Sequence, residues 1–366
     1  MRIAFIGTRG VPANYGGFET FVEQLGARLA DRGHHVTVYC RRAYYEESLA
    51  TYRGMHLVHL SSLHTKHLDS ISHAALASFH SIRQRNDLAF YCGSGASPIC
   101  WLPRLGGAKV VLNPDGLEWQ RAKWGRAAQM YLRLAEQFAA RLPHCIVADS
   151  NVIRDYYKET YGRDSTFVAY GADRVARGSH PELLERFGVE PEKYFLFVSR
   201  LEPENNAHLV VDAFERVKTD MTMMMVGDAP FANEYIAQLK STSDTRTKFP
   251  GAVYGEDYDA LRANAYVYVN AMEVGGTHPA ILEAMGAGNC VLVSDIAYNT
   301  EAVADAGAHF KNRDTDDLAA KMQALADDPT EVARLGKTAA QRAESHFDWD
   351  KITDNYERCF NEIIAN

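Results

Sequence analysis

Read as a pattern of apolar and polar positions, the chain alternates short β-branched or aromatic runs with longer stretches of helical periodicity, and it does so twice. Arg2 to Ile6 predicts a strand, Phe21, Val22, Leu25 and Leu29 recur at helical spacing, and Val36 to Cys40 predicts the next strand. Further strands are expected after Met55 (HLVHLS) and at 88–92, 109–113, 145–148 and 166–170, with helical stretches around His64–His80 and Arg154–Tyr157. The second half repeats the outline. Strands are expected at 194–199, 221–227, 267–269 and 291–293, and helices at 257–262, 299–304, 314–326, 330–346 and 349–364. Strands alternating with helices predict an α/β fold with parallel sheets, and 366 residues suffice for two domains that each bury a core.

The stretch from Val267 to Asp295 concentrates the candidate chemistry. Gly275, Gly276, Thr277, His278 and Pro279 separate a strand from a helix, and Pro279 suits the first helical position because its missing N–H would be unpaired there anyway. A helix opening in this way offers unpaired N–H groups and a positive dipole end, which favours a phosphate. Glu283, one turn later, would repel a phosphate unless it addressed something else, such as a ribose diol. The alternative is an ordinary βαβ turn with Glu283 solvated. Near the start, Gly7 and Gly10 are followed by Val11 and Pro12, and Gly16 and Gly17 come six residues later, so the loop is not the G-x-G-x-x-G of nicotinamide enzymes. Gly16 and Gly17 would let a bulky ligand approach, and Glu19 and Thr20 are candidates to cap the next helix. Asp115 lies beyond a strand's carboxyl end, where it either contacts a ligand or makes an Asx-turn into Gly116.

Composition narrows the class. Hydrophobic residues at 46% and charged residues at 23% describe a soluble globular protein, no run is long enough to span a membrane, and the opening strand leaves no signal-peptide pattern, so a cytoplasmic location is expected. The net charge of −8 hides an asymmetry: residues 1–173 hold 20 Lys and Arg against 15 Asp and Glu, an excess of +5, while residues 174–366 hold 19 against 32, or −13. A basic first half could face anionic headgroups or a phosphate-bearing acceptor; nucleic acid is not expected. Trp119, Arg121, Lys123, Trp124 and Arg126 predict a basic aromatic helix, which either rests on a membrane interface or divides between core and solvent. The six cysteines are dispersed and read as reduced, buried small hydrophobes. His64 and His67 are three apart, but no third metal ligand has suitable spacing, so no metal is expected.

On these residues the chain resembles the GT-B glycosyltransferases of family four. Glu283, Ala284, Met285, Gly286, Ala287 and Gly288 are similar to the second half of that family's two-glutamate donor motif. The first glutamate would stand eight positions earlier, where this chain has Gly275, and Glu273 is the nearest one. The loop with Gly16 and Gly17, the DGLEW segment and GTHPA resemble the bacterial rhamnosyltransferases of polysaccharide assembly. The resemblance covers nearly the whole chain. It implies two Rossmann-like domains with parallel sheets facing across a cleft: an acceptor domain, 1–173, and a donor domain, 174–347, with a last helix, 348–366, crossing back to the first.

The implied reaction is retaining transfer of a sugar, rhamnose among the candidates, from a UDP- or dTDP-linked donor to a saccharide or polyprenyl-linked acceptor. It needs no metal or other cofactor, and peripheral contact with the inner membrane is expected. By the same resemblance Arg200 and the amides of Thr277 and His278 hold the diphosphate, Glu283 the ribose and backbone near Val253 the base. Gly16 and Gly17 line the cleft, and Asp115, where relatives commonly carry histidine, positions the sugar with Glu273. Arg9 and Asn14 are further candidates in the loop with Gly16 and Gly17, and because the family's lysine some six residues after Arg200 is absent, Arg9 is also a candidate second cation. A nucleotide-sugar epimerase and a catalytically silent nucleotide-sugar binder are the two other expectations.

Overall fold

The computed structural model describes residues 1–14, 16–65, 68–121, 124–229 and 232–365; His67 and Lys123 lie outside them. The chain forms two compact units, one made of Met1–Tyr170, Gly275–Thr277 and Trp349–Asn366, the other of Gly171–Val274 and His278–Asp348.

The first unit contains β1 (Arg2–Ile6), α1 (Gly17–Asp31), β2 (His35–Arg41), β3 (Thr51–Tyr52), β4 (Met55–Leu60), α2 (Asp69–Gln84), β5 (Leu88–Cys92), β6 (Lys109–Asn113), α3 (Arg126–Arg141), β7 (Cys145–Ala148), α4 (Asn151–Tyr161) and β8 (Thr166–Phe167). The eight strands form one sheet in the order β3-β4-β2-β1-β5-β6-β7-β8. All pairs are parallel except β3 with β4, a short hairpin that periodicity does not reveal. Every residue of β5 is buried, as an apolar strand covered on both faces should be.

Two expectations fail here. Among the described residues, Trp119 lies in a 3-10 turn, Glu118–Gln120, Arg121 and Trp124 lie outside any helix, and the helix begins at Arg126 behind an extended Gly125. The two indoles are held by carboxylates, Trp119 donating to Glu136 at 3.0 Å and Trp124 to Glu118 at 3.1 Å. The strand expected over 166–170 stops at Phe167, because Tyr170 leaves it to pack its ring 5.3 Å from Phe21.

The second unit contains β9 (Tyr194–Val198), α5 (Ala207–Phe214), β10 (Thr222–Val226), α6 (Asn233–Leu239), β11 (Thr247–Gly251), α7 (Gly255–Asn264), β12 (Val267–Asn270), α8 (Pro279–Gly286), β13 (Cys290–Ser294), α9 (Ala297–Val303), β14 (Ala308–Phe310), α10 (Thr315–Asp327) and α11 (Pro329–His346). Its sheet runs β11-β10-β9-β12-β13-β14, the 3-2-1-4-5-6 order of a Rossmann fold. Phe195, Phe197, Met223, Met225, Val267, Val269 and Leu292 form the core under α5 and α10.

The last helix, α12 (Trp349–Ala365), belongs to the first unit. Phe21 of α1 lies 5.3 Å from Tyr356 and 6.3 Å from Trp349, and Phe90 of β5 lies 6.0 Å from Phe360. Around these rings Arg32 pairs with Asp354 and Glu357 at 2.7 and 2.8 Å, and His34 with Glu357 at 2.8 Å. Among the described residues no helix is long and apolar enough to cross a membrane.

The cysteines correct the sequence reading. The Cys359 thiol of α12 first, and then Thr166, whose Oγ1 lies 3.5 Å from the sulfur, lower the Cys145 thiol on β7 to about 7, while the Cys359 thiol is raised. Cys145 is only half-buried, whereas the other five are buried. Iodoacetamide should therefore modify Cys145 ahead of the other cysteines, its rate rising through pH about 7; peptide mass mapping across pH checks this.

Candidate active site

In each sheet two neighbouring central strands send their connections in opposite directions, β1 and β5 in the first unit, β9 and β12 in the second. The crevice beyond the carboxyl ends of such strands is where open α/β sheets hold ligands.

In the second unit Arg200 follows β9 and Glu273 follows β12, so both expected residues stand at this point of the sheet. The backbone leading to Arg200 is fixed by hydrogen bonds. Ser199 N–H donates to Val226 O at 3.1 Å, and Asn205 Nδ2 donates to Arg200 O at 2.8 Å. Gly227, at φ +146°, makes the approach possible: a Cβ there would stand 1.7 Å from Ser199 O. Glu273 accepts from Asn206 Nδ2 at 2.6 Å and from Arg313, whose Nε lies 2.8 and 2.9 Å from its two oxygens with the terminal nitrogen at 2.5 Å. Asn206 occupies the place, six after Arg200, where the resemblance expects a lysine for the diphosphate, and Arg313 of the β14–α10 loop is the cation that holds Glu273. Sequence reasoning missed Arg313 because nothing local marks it.

Pro279 is the first residue of α8, as the sequence predicts, with His278 at the N-cap. The His278 ring is buried, and Nδ1 lies 3.1 Å from Asn299 Oδ1, which anchors the helix start to α9. Glu283 accepts from the Tyr258 hydroxyl at 2.8 Å and lies 3.8 Å from Arg262. Desolvation, and then the Glu283 charge, push the Tyr258 phenol well above its ordinary pKa, so it remains a donor. These two α7 side chains hold a carboxylate that the sequence left either solvated or on a ribose. Val253 is half-buried in the turn between β11 and α7.

In the first unit the long loop after β1 is tied down by acids on α1. Arg9 N–H donates to Glu19 Oε1 and Ala13 N–H to Glu23 Oε2, each at 2.7 Å. Glu19 is thus a loop anchor and not the expected cap; Gly16 holds the N-cap position, in extended conformation and without a side-chain bond. Burial raises the Glu19 carboxyl above its ordinary pKa, against the lowering effect of the Arg9 amide. The Arg9 guanidinium lies 4.1 Å over the Tyr44 ring, and Asn14 Nδ2 reaches Tyr44 O at 3.4 Å. Gly16 and Gly17 are half-exposed where the loop enters α1.

In the turn after β6 Asn113 makes an Asx-turn of its own, its Oδ1 accepting from Asp115 N–H at 2.8 Å. Asp115 has φ +62°, with Arg121 4.0 Å from its carboxylate. A Cβ on Gly116 would stand 2.2 Å from the Gly275 carbonyl carbon, so the DGLEW turn and the Gly275–Thr277 tripeptide of the same unit touch backbone to backbone. Thr277 there donates both N–H and Oγ1 to Asp149, each at 3.0 Å. The Thr277 amide expected to hold a phosphate thus faces a carboxylate. Asp149 could have been found in the sequence, since it follows the β7 strand at its carboxyl end. Among the described residues no group of three or more His, Cys, Asp or Glu could hold a metal ion.

The two Rossmann-like units are those of the GT-B class. HepE from Anabaena, solved in complex with UDP, has the same fold at a TM-score of 0.80, with 19% identity over 99% of this chain and 100% of that one. Residues 192–328 match the family model described as glycosyl transferases group 1, and residues 1–87 and 93–173 match a domain of unknown function, DUF1972. A glycogen synthase of Mycobacterium tuberculosis is 26% identical over 62% of this chain and 56% of its own length, so the chain spans about half of that relative. Spore coat protein SA of Bacillus subtilis is 23% identical over 97% of this chain and 98% of that protein.

Gly227→Ala should destabilise the protein by about 2 kcal/mol or more, because a side chain is strained at this φ and meets the Ser199 carbonyl. Urea unfolding measures the loss.

Proposed function

We propose that the protein is a retaining glycosyltransferase that moves a sugar from a nucleoside diphosphate to a hydroxyl of a saccharide or polyprenyl-linked acceptor at the cytoplasmic face of a membrane. One observation carries the reading: the unit that matches glycosyl transferases group 1 also sets Arg200 and Glu273 beyond the two strands where its sheet reverses direction, with Glu283 on the next helix. The solved HepE complexes with UDP and with UDP-glucose support a uridine donor; dTDP-rhamnose, in cell-surface polysaccharide assembly, is the alternative that the sequence resemblance supports.

In this reaction the bond from the anomeric carbon to the diphosphate oxygen breaks and a bond to the acceptor oxygen forms. The departing phosphate oxygen takes the acceptor's proton on the same face, so no side chain need act as a base. What the protein must supply is charge stabilisation and alignment. Arg200 stabilises the leaving diphosphate, Glu273, oriented by Arg313 and Asn206, meets the sugar hydroxyls, and Glu283, braced by Tyr258 and Arg262, meets the ribose. His278 adds its amide at the start of α8, and Val253 its backbone to the base. Asp115 helps Glu273 to position the sugar, and Gly16 and Gly17 lie beside the substrates.

A panel of UDP- and dTDP-sugars, followed by nucleoside diphosphate release with and without membrane lipid extract, tests the reading. Acceptor-dependent release supports transfer; a changed free sugar nucleotide, or tight binding without release, would replace it. Arg200→Ala should slow transfer by about a hundredfold or more while leaving the circular dichroism spectrum unchanged, and Glu283→Ala should act mainly on donor KM. Near-normal turnover by Arg200→Ala would remove that residue from the scheme.

A further inference from the structure

The first unit carries a face whose composition the proposed transfer does not require. α2, the 3-10 turns Ser94–Ile99 and Leu102–Gly106, and α3 lie side by side. The Ser97 hydroxyl donates to Ala135 O, Tyr131 OH donates to Gly95 O at 2.8 Å, and a Cβ on Gly106 would stand 2.5 Å from Ile82 O. On the outside of these elements Leu76, Phe79, Leu105, Met130, Leu134 and Phe138 are 47, 58, 66, 74, 49 and 36% exposed. On α2, Leu76, Phe79 and Arg83 follow one helical stripe, and on α3 so do Met130, Leu134, Phe138 and Arg141. Large apolar side chains grouped in this way mark a contact surface, where single ones would need no explanation.

The charges on the same elements are of one sign at the surface. Arg83, Arg104, Arg126, Arg133 and Arg141 are all exposed. The only carboxylates on these elements, Asp69 and Glu136, are buried. Asp69 accepts from Arg41 and Tyr44, each at 2.9 Å. Glu136 accepts from Trp119 at 3.0 Å and from Tyr156 and Tyr161 at 2.6 Å each. The face thus presents apolar side chains among arginines, with both acids turned inward.

We infer that this face is a docking surface for a bilayer bearing anionic headgroups, onto which α2 and α3 settle with their apolar stripes in the acyl boundary and their arginines at the phosphates. Arginine suits that position, because its stem packs on apolar surface while its head reaches the headgroup layer. No helix among the described residues is apolar enough to cross a membrane, so attachment is peripheral and reversible. An acidic protein surface would meet the arginines but would not need the outward Met130, Leu134 and Phe138. The inference rests on the proposed transferase reading only for its purpose, since lipid binding is measured without sugar transfer.

Sedimentation of the full chain with vesicles of phosphatidylcholine, alone or mixed with phosphatidylglycerol, tests it. Binding should require the anionic lipid, fall as salt is raised, and persist in millimolar inorganic phosphate, which excludes a simple phosphate site. Arg126→Glu with Arg141→Glu, and separately Leu134→Ser with Phe138→Ser, should each weaken it by about tenfold or more while UDP binding is kept. Leu76→Ser with Phe79→Ser provides a second apolar variant should the α3 pair fail to fold. Equal sedimentation with both vesicle types, none with either, or variants that bind like the parent would overturn the inference. So would a lipid-free dimer that the Leu134 and Phe138 changes dissociate, which would make the face an interface between copies.

Discussion

Both units rest on one constraint of parallel sheets: a strand can be followed by its parallel neighbour only through a crossover, and two adjacent strands whose crossovers depart in opposite directions leave their ends uncovered. In the second unit that gap lies between β9 and β12, in the first between β1 and β5. The second unit's gap takes its two charged side chains from the residues that come next in the chain. Arg200 and Glu273 need no long side-chain reach to be placed there, because the strands deliver them. The supports around them are hydrogen bonds between loops, such as Asn205 to Arg200 O, and these hold only while the strand ends keep their register.

Glu273 illustrates how a motif can change its spelling. Asn206, standing where a lysine for the diphosphate is expected, donates to the carboxylate at 2.6 Å, and Arg313, forty residues after Glu273, pairs with it. A bidentate guanidinium fixes the plane of a carboxylate in a way that a single ammonium cannot. Arg313 therefore fixes how Glu273 is oriented.

Much of this was legible in the sequence because parallel strands buried on both faces are continuous apolar runs: RIAFI, LAFYC and VYVN stand out against their surroundings. The N1 proline of α8 was legible for a similarly local reason. What escaped depended on distant partners. The short helix α5, AHLVVDAF, is too brief to show a period, and β14 is three residues long. The aromatic stretch around Trp119 looked helical by composition, but its indoles are claimed by Glu136 and Glu118, which holds the backbone in a turn. Arg313 at Glu273, Asp149 at Thr277 and Cys359 at Cys145 are contacts between residues far apart in the chain, which no window along the sequence contains. Asp115 was correctly placed beyond a strand end, while the Asx-turn that Asn113 makes just before it was not foreseen.

The return of α12 to the first unit has a consequence for how the chain is made. Phe21 and Phe90 precede the second unit in the chain, yet the rings of Trp349, Tyr356 and Phe360 that cover them follow it. While the ribosome is still extending the polypeptide, the second unit has all but its last residues available and can close its own sheet. The first must wait with part of its aromatic interior open until α12 has emerged behind the second unit.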